Sequence, residues 1–203
     1  MMTDPLTETS IARRLKKAYQ PGRVAAMDGY AELYEHGELK CAAVLIPFIR
    51  WEETWQIVFT RRTETLEQHK GQVSFPGGGC ELGESTPEAT ALREAQEEIG
   101  LGPQDVRVLG RLNDFITITR YRVAPVVGVI PWPYEFHPEP AEVGRVFTIP
   151  LAWLADPHNW DERPVTPQGA ARPFPVIHYH PYDGEILWGA SARMTQELVK
   201  TIW

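Results

Sequence analysis

Apolar positions along the chain fall into two kinds of run. Between residues 6 and 19 they recur as Leu6, Ile11, Leu15 and Tyr19, in steps of four and five, which predicts a helix over 6–19. Arg13, Arg14, Lys16 and Lys17 make its polar side basic, either as a solvated face or as the cap of an anionic ligand site, and Pro21-Gly22 breaks it. Residues 41–49 and 55–60 are short continuous apolar runs rich in β-branched and aromatic side chains. Polar residues at 51–54 separate them, so they read as a strand pair. Residues 63–83 read as mostly irregular, with a short strand around 73–75 and with Gly77, Gly78 and Gly79 ending regular structure. The best-defined helix spans 87–99. Thr86 is its N-cap with Pro87 at the first helical position, and Ser85 with Glu88 forms a competing capping box. Gly100 suits a left-handed C-terminal residue, and Pro103 prevents continuation. Strands are predicted at 106–112, 115–119, 121–130 and 143–149, proline-rich loops at 131–140 and 163–175, and a last helix at 188–202. Helices and strands interleave without a repeat or a dividing linker, which favours one α/β domain spanning 1–203 over two small ones.

Composition narrows the function classes. With 203 residues, 43% hydrophobic and 23% charged, the chain has globular composition. Lys plus Arg number 20 and Asp plus Glu 27, a net charge of −7, which disfavours a nucleic-acid partner because polyanion binders present basic surfaces. Two cysteines are too few for a disulfide framework, so a reducing cytosol is the simplest setting. Cys80, with no base or metal-ligand spacing beside it, reads as incidental. The opening residues hold no apolar core of signal-peptide length, and no apolar run approaches the roughly 20 residues that span a bilayer. A cytoplasmic protein without a membrane partner is expected.

The strongest chemical signal lies on the 87–99 helix. Glu94, Glu97 and Glu98 stand at i, i+3 and i+4 and share one face, with Ala89, Leu92 and Ile99 roughly opposite. On a solvated surface each like-charged pair costs only about 0.2–0.5 kcal/mol. In a cleft of effective dielectric near 20, a pair about 5 Å apart costs ~3 kcal/mol before screening. Such a cluster calls for a cation, and hard oxygen ligands suit Mg2+ or Mn2+. A solvated acidic helix is the competing reading. Against it stand Arg93 before the cluster, Gly100-Leu101 after it, the triple glycine upstream, and Glu84 nine residues before Arg93.

This arrangement resembles the Nudix box, Gly-x5-Glu-x7-Arg-Glu-aliphatic-x-Glu-Glu-x-Gly-aliphatic. Arg93-Glu94-Ala95-x-Glu97-Glu98-x-Gly100-Leu101 fits, with Ala95 a small occupant of the aliphatic position. Gly78-x5-Glu84 keeps its spacing, but eight residues rather than seven precede Arg93, and the other register places Ser85 where glutamate belongs. Upstream, Leu66-x-x-His69-x-Gly71-Gln72-Val73-Ser74-Phe75-Pro76-Gly77-Gly78 resembles the signature of the coenzyme A pyrophosphatase branch of Nudix hydrolases. Its spaced acidic pair is matched by Glu81 and Glu84, and its helix by Ala91-Leu92-Arg93-Glu94. The likeness is contiguous from about Thr60 to Leu101. Weaker echoes lie at Glu142-Val143, Pro150-Leu151 and Trp188-Gly189-Ala190-x-Ala192.

The resemblance implies a Nudix-type α/β/α sandwich with a mixed central sheet, a core of about 38–155, and helices 6–19 and 188–202 as additions. It implies a divalent-metal hydrolase that splits CoA or acyl-CoA into 3',5'-ADP and 4'-phosphopantetheine. Glu94 and Glu98 would be the principal metal ligands and Glu97 a third ligand or bridge, with a backbone carbonyl of Gly77 or Gly78 completing one site. Arg93, within the catalytic motif, would pair with Glu84 and hold the loop against the helix, with Gly100 ending it; were that pair exposed, it would contribute little. Glu142 and Glu97 are candidates for the general base, with Glu139 a poorer one. His69, Gly71, Gln72, Ser74 and Phe75 would shape the substrate pocket, and Arg61, Arg62, Arg120 and Arg122 are candidate phosphate clamps. Trp132 and Tyr134 would contact a ligand ring or pack a loop. His178 and His180 lack a third ligand nearby, so zinc is not expected. Two other functions compete. One is a Nudix hydrolase of another nucleotide diphosphate, such as ADP-ribose or NADH. The other is a non-catalytic Nudix-fold module that senses a nucleotide, against which the intact Glu94, Glu97 and Glu98 argue. The sequence leaves the oligomeric state open, a homodimer included.

Overall fold

The computed structural model describes residues 6–25, 38–64, 70–166 and 173–203. Leu66 and His69 lie outside the described residues. The molecule is built around β1 (Lys40–Trp51), whose alternating side chains serve two layers. Ala43, Leu45 and Ile49 face one layer, and Ala42, Ile46 and Phe48 the other. A tight turn at Glu52 and Glu53, both with positive φ, leads back into β2 (Thr54–Arg62). On the opposite edge β7 (Tyr121–Val129) runs parallel to β1 from Lys40↔Tyr121 to Phe48↔Val129, which makes the sheet mixed. β5 (Arg107–Arg111) and β6 (Phe115–Ile116) pair with β7, and β8 (Val143–Pro150) with β2.

β1 and β2 pair from Trp51↔Thr54 to Phe48↔Ile57. Past that point β3 (Val73–Ser74) pairs with β2 and β4 (Gly77–Gly79) with β1. The Phe75-Pro76 step crosses between them, and Leu45 N–H donates to the Pro76 carbonyl at 2.9 Å. The three glycines, predicted to end regular structure, therefore form a strand opposite Ala42, Ala43 and Val44. A Cβ on Gly77 would lie 2.5 Å from the Ala43 carbonyl oxygen and 2.6 Å from Val44 Cα, so only glycine fits that approach. Cys80 is a second correction. It is disulfide-bonded to Cys41, with its N–H donating to the Cys41 carbonyl, so it is not incidental to this loop.

α2 (Pro87–Ile99) covers one face of the sheet. Its buried stripe is Ala91, Ala95 and Ile99, packed with Ala43, Leu45, Ala124 and Val126. The predicted stripe of Ala89, Leu92 and Ile99 was rotated: Ala89 is exposed and Leu92 only partly buried. α1 (Glu8–Ala18), α3 (Leu151–Ala155) and α4 (Gly189–Ile202) cover the other face. There Ile11, Leu15, Leu198 and Ile202 pack with Ile46, Phe48, Ile57 and Phe59. Each such fully buried side chain contributes roughly 1.5–3 kcal/mol. β9 (Trp160–Val165) and β10 (Phe174–Tyr179) form a separate hairpin where a proline-rich loop was predicted, with Pro164 opposite Pro175. The fold is an α/β/α sandwich.

Candidate active site

α2 is fixed at both ends by its own sequence. The Thr86 hydroxyl accepts from Ala89 N–H at 3.2 Å, with Pro87 in the first turn, so this cap prevails over Ser85 with Glu88. Gly100 takes the left-handed conformation at φ 67° and its N–H bonds back to the last turn. The loop from β7 to β8 is stitched to the same end. His137 N–H donates to the Ile99 carbonyl and Glu139 N–H to the Glu98 carbonyl, both at 2.9 Å. Thr63 N–H donates to the Glu142 carbonyl at 3.0 Å. These bonds hold Glu142 close enough to raise the pKa of both Glu94 and Glu98 by its charge.

The outer rim of the helix is an ion-pair network centred on Arg93. Its Nε donates to Glu84 at 2.8 Å, one Nη to Glu97 at 2.7 Å, and the other to Glu94 and to the Gly79 carbonyl, each at 2.9 Å. Glu84 also accepts from Glu81 N–H and from the Thr90 hydroxyl, both at 2.7 Å. These bonds, the one from Arg93 foremost, pull Glu84 down to about 2. One guanidinium thus ties the loop after β4 to the helix through four acceptors. Glu97, 58% exposed at its side chain, lies on this rim.

The inner edge differs. Glu98 is 4% exposed, so the sequence-predicted carboxylate face is not wholly open to solvent. Gly77 N–H donates to it at 3.3 Å, and Arg62 stands 3.8 Å away. Burial pushes its pKa up to about 8; Arg62 and the Gly77 N–H oppose this, while Glu142 and Glu94 add to it. Glu94 is raised too, chiefly by burial and against the pull of Arg93. Its carboxylate lies against Gly78, where a Cβ would come within 2.5 Å of it. Among the described residues, no three acidic, histidine or cysteine side chains converge as they stand on one metal point. The donor set nonetheless fits a hard divalent cation: oxygen ligands only, one buried, with incomplete neutralisation by Arg62.

Beside Glu98 opens a cleft of about 450 Å3. Arg62, Gln72, Ser74, Phe75 and Gly77 line its inner part. Arg62 Nε is buried and has no hydrogen-bond partner among the described residues. Ser74 also bonds Thr60, and Phe75 stacks on Phe59 at 4.8 Å. Gly71 does not line the cleft but makes a left-handed turn at φ 62° against Glu64. Arg61 turns to Glu64 and Glu185, and Arg122 to Asp114 at 2.7 Å. Trp132 and Tyr134 pack their loop: Trp132 against Trp51, and Tyr134 against Phe136 with its hydroxyl bonded to Asp105 at 2.9 Å. The outer cleft was not foreseen. It comes from residues 117–119, from the β9–β10 hairpin, and from Trp188 and the first turn of α4. The Trp188-Gly189-Ala190 run was the only hint of it.

A mixed sheet between helix layers, with a glycine strand set against a carboxylate-bearing helix, defines a Nudix-type fold. A family model described as the NUDIX domain matches residues 39–169. The chain is 34% identical to an "uncharacterized Nudix hydrolase NudL" from Photorhabdus laumondii, over 79% of this chain and 84% of that one. It is 36% identical to a protein of the same description from Cronobacter sakazakii, over 79% and 82%. A crystal structure of a MutT/nudix family protein from Enterococcus faecalis matches with a TM-score of 0.50 at 12% identity, covering 98% of this chain and 74% of that one. The chain belongs to the Nudix family. It is a Nudix hydrolase, of a family that generally works with divalent metal ions.

Proposed function

We propose that the chain is a pyrophosphohydrolase dependent on Mg2+ or Mn2+ that cleaves CoA or acyl-CoA to 3',5'-ADP and 4'-phosphopantetheine or its acyl form. Water adds across the P–O–P bond, giving two phosphate monoesters. The observation that carries the reading is the continuity of site and signature. Buried Glu98 and its partner Arg62 border a cleft whose inner wall is Gln72, Ser74, Phe75 and Gly77, residues of the CoA-type signature. Glu94 and Glu98 would hold the metal, with Glu97 and a Gly77 or Gly78 carbonyl as further ligands. The bound metal supplies charge neutralisation and an activated water. Glu142, held by the stitched loop, is the favoured base, with Glu97 next. Arg62, which lines the cleft beside Glu98, would meet the pyrophosphate. Arg93 and Glu84 position the loop rather than touch substrate.

The test is a substrate panel. With CoA and Mg2+ or Mn2+, purified protein is expected to release 3',5'-ADP. Much faster cleavage of ADP-ribose or NADH would refute the CoA assignment. Absence of hydrolysis across all nucleotide diphosphates would favour a sensing module.

A further inference from the structure

The outer cleft has a chemistry of its own. Among the described residues, Ile118, 53% exposed, and Trp188, 36% exposed, are two of the few large apolar side chains left uncovered, and both line it. Between them the wall continues as Val165, Pro175, Val176 and Ile177, all from the hairpin outside the central sheet. Trp188 is braced, its ring stacked on His178 at 5.4 Å and 12°. That geometry presents a fixed apolar plate to the cleft.

Charge decides what such a wall receives. Among the described residues no carboxylate lines the cleft, and the two cations that do, Arg62 and Arg193, are unequal. Arg62 lies at the inner end beside Glu98, where a pyrophosphate belongs. Arg193, at the outer end, stands 3.9 Å from the half-exposed Glu162, which offsets part of its charge. A phosphorylated nucleoside placed outward would set a further phosphate dianion against a mostly apolar wall, with only the uncapped first turn of α4 and the partly paired Arg193 to answer it. Burying such a charge without a partner is costly. An uncharged chain meets no such cost, and the Ser191 hydroxyl, with the mutually bonded Thr117 and Thr119 hydroxyls, gives its amides polar neighbours.

We propose that this outer cleft is a specificity site for the uncharged, amide-bearing aliphatic arm on one side of the pyrophosphate, gripped between Trp188 and Ile118. The nucleoside half then lies away from this wall. The proposal rests on the CoA reading above and adds which half of the molecule the C-terminal hairpin and α4 select. Hydrolysis takes place at the family core; discrimination takes place at a wall the C-terminal elements supply.

Calorimetric binding to the metal-loaded full chain tests this without turnover, using 4'-phosphopantetheine and 3',5'-ADP as separate probes. In Trp188→Ala the affinity for 4'-phosphopantetheine is expected to fall about tenfold, with that for 3',5'-ADP within about twofold. Ile118→Ser, on an exposed turn between two strands of the central sheet and outside α4, is expected to shift affinity the same way by a smaller factor, which guards against a misfolded Trp188 variant. A larger loss for 3',5'-ADP, or no change for either probe in both variants, overturns the proposal. Failure of the CoA reading registers separately, as absent release of 3',5'-ADP from CoA by the wild type.

Discussion

Glu97 and Glu98 are neighbours on one helix and live under opposite rules. Glu97 sits on the open rim, bonded to an arginine that also binds Glu84, Glu94 and the Gly79 carbonyl. Glu98 is buried, with one guanidinium 3.8 Å away and two further carboxylates acting on it. The rim already holds a countercharge, so a cation gains less there. The inner edge lacks enough, and a site short of positive charge is where a divalent cation stabilises most.

The sharpest way to break this contrast is to neutralise each carboxylate in turn. Glu98→Gln is expected to lower the rate of hydrolysis about a thousandfold, roughly 4 kcal/mol of barrier, while the fold is retained. Glu97→Gln should cost about tenfold or less. Initial rates at saturating metal, with circular dichroism of both variants, decide it; equal losses would erase the distinction between rim and edge.

Titration offers a second, smaller handle. The folded pKa of Glu98 stands at about 8, above its ordinary 4.5. Between those values the folded state binds more protons than the unfolded, so metal-free stability falls as pH rises from about 5 to 8 and levels off above. The change is on the order of 3 kcal/mol. Glu84 carries the opposite sign: its stabilisation is present above 4.5 and is lost as pH falls toward 2. Denaturant melts across pH should show the decline in wild type and not in Glu98→Gln, and bound metal should flatten it. A wild-type curve that is flat from 5 to 8 without metal would contradict a buried, under-neutralised carboxylate.

The smallest effect belongs to the rim. Arg93→Lys keeps the charge but not the fork that reaches four acceptors, and is expected to cost about 1 kcal/mol, a Tm fall of a few degrees. Thermal melts read it directly. A loss as large as that from Glu98→Gln in the rate assay would place Arg93 in the chemistry instead.

What the sequence disclosed was local. Thr86, Pro87 and Gly100 announce α2 because caps and left-handed turns act within a few residues. The stripe on α2 was misplaced because Ala91 and Ala95 are small, and their value arises only opposite Ala43 and Ala124, where a larger side chain would hold helix from sheet. The glycines of β4 have no intrinsic strand tendency; the divergence of β1 and β2 gives them partners. Pro164 and Pro175 suggest loop, yet a two-stranded hairpin tolerates them. Glu94 and Glu98 were legible as a pair, but the burial that separates Glu98 from Glu97 was not. The outer cleft is the least legible part, because its wall draws on residues far apart in the chain.

The parallel pairing of β1 with β7 sets a timetable for synthesis. The β1–β2 hairpin can close while the rest of the chain is still being made, and the glycine strand follows soon after. β1 gains its other neighbour only when residues 121–129 emerge, well after α2 has appeared. Until then one edge of the strand beneath the carboxylate helix has no native partner, and non-local pairing of this kind is slow. The nascent chain is therefore most vulnerable to mispairing in the interval between α2 and β7, after the chemical groups have been made and before the platform that orients them is complete.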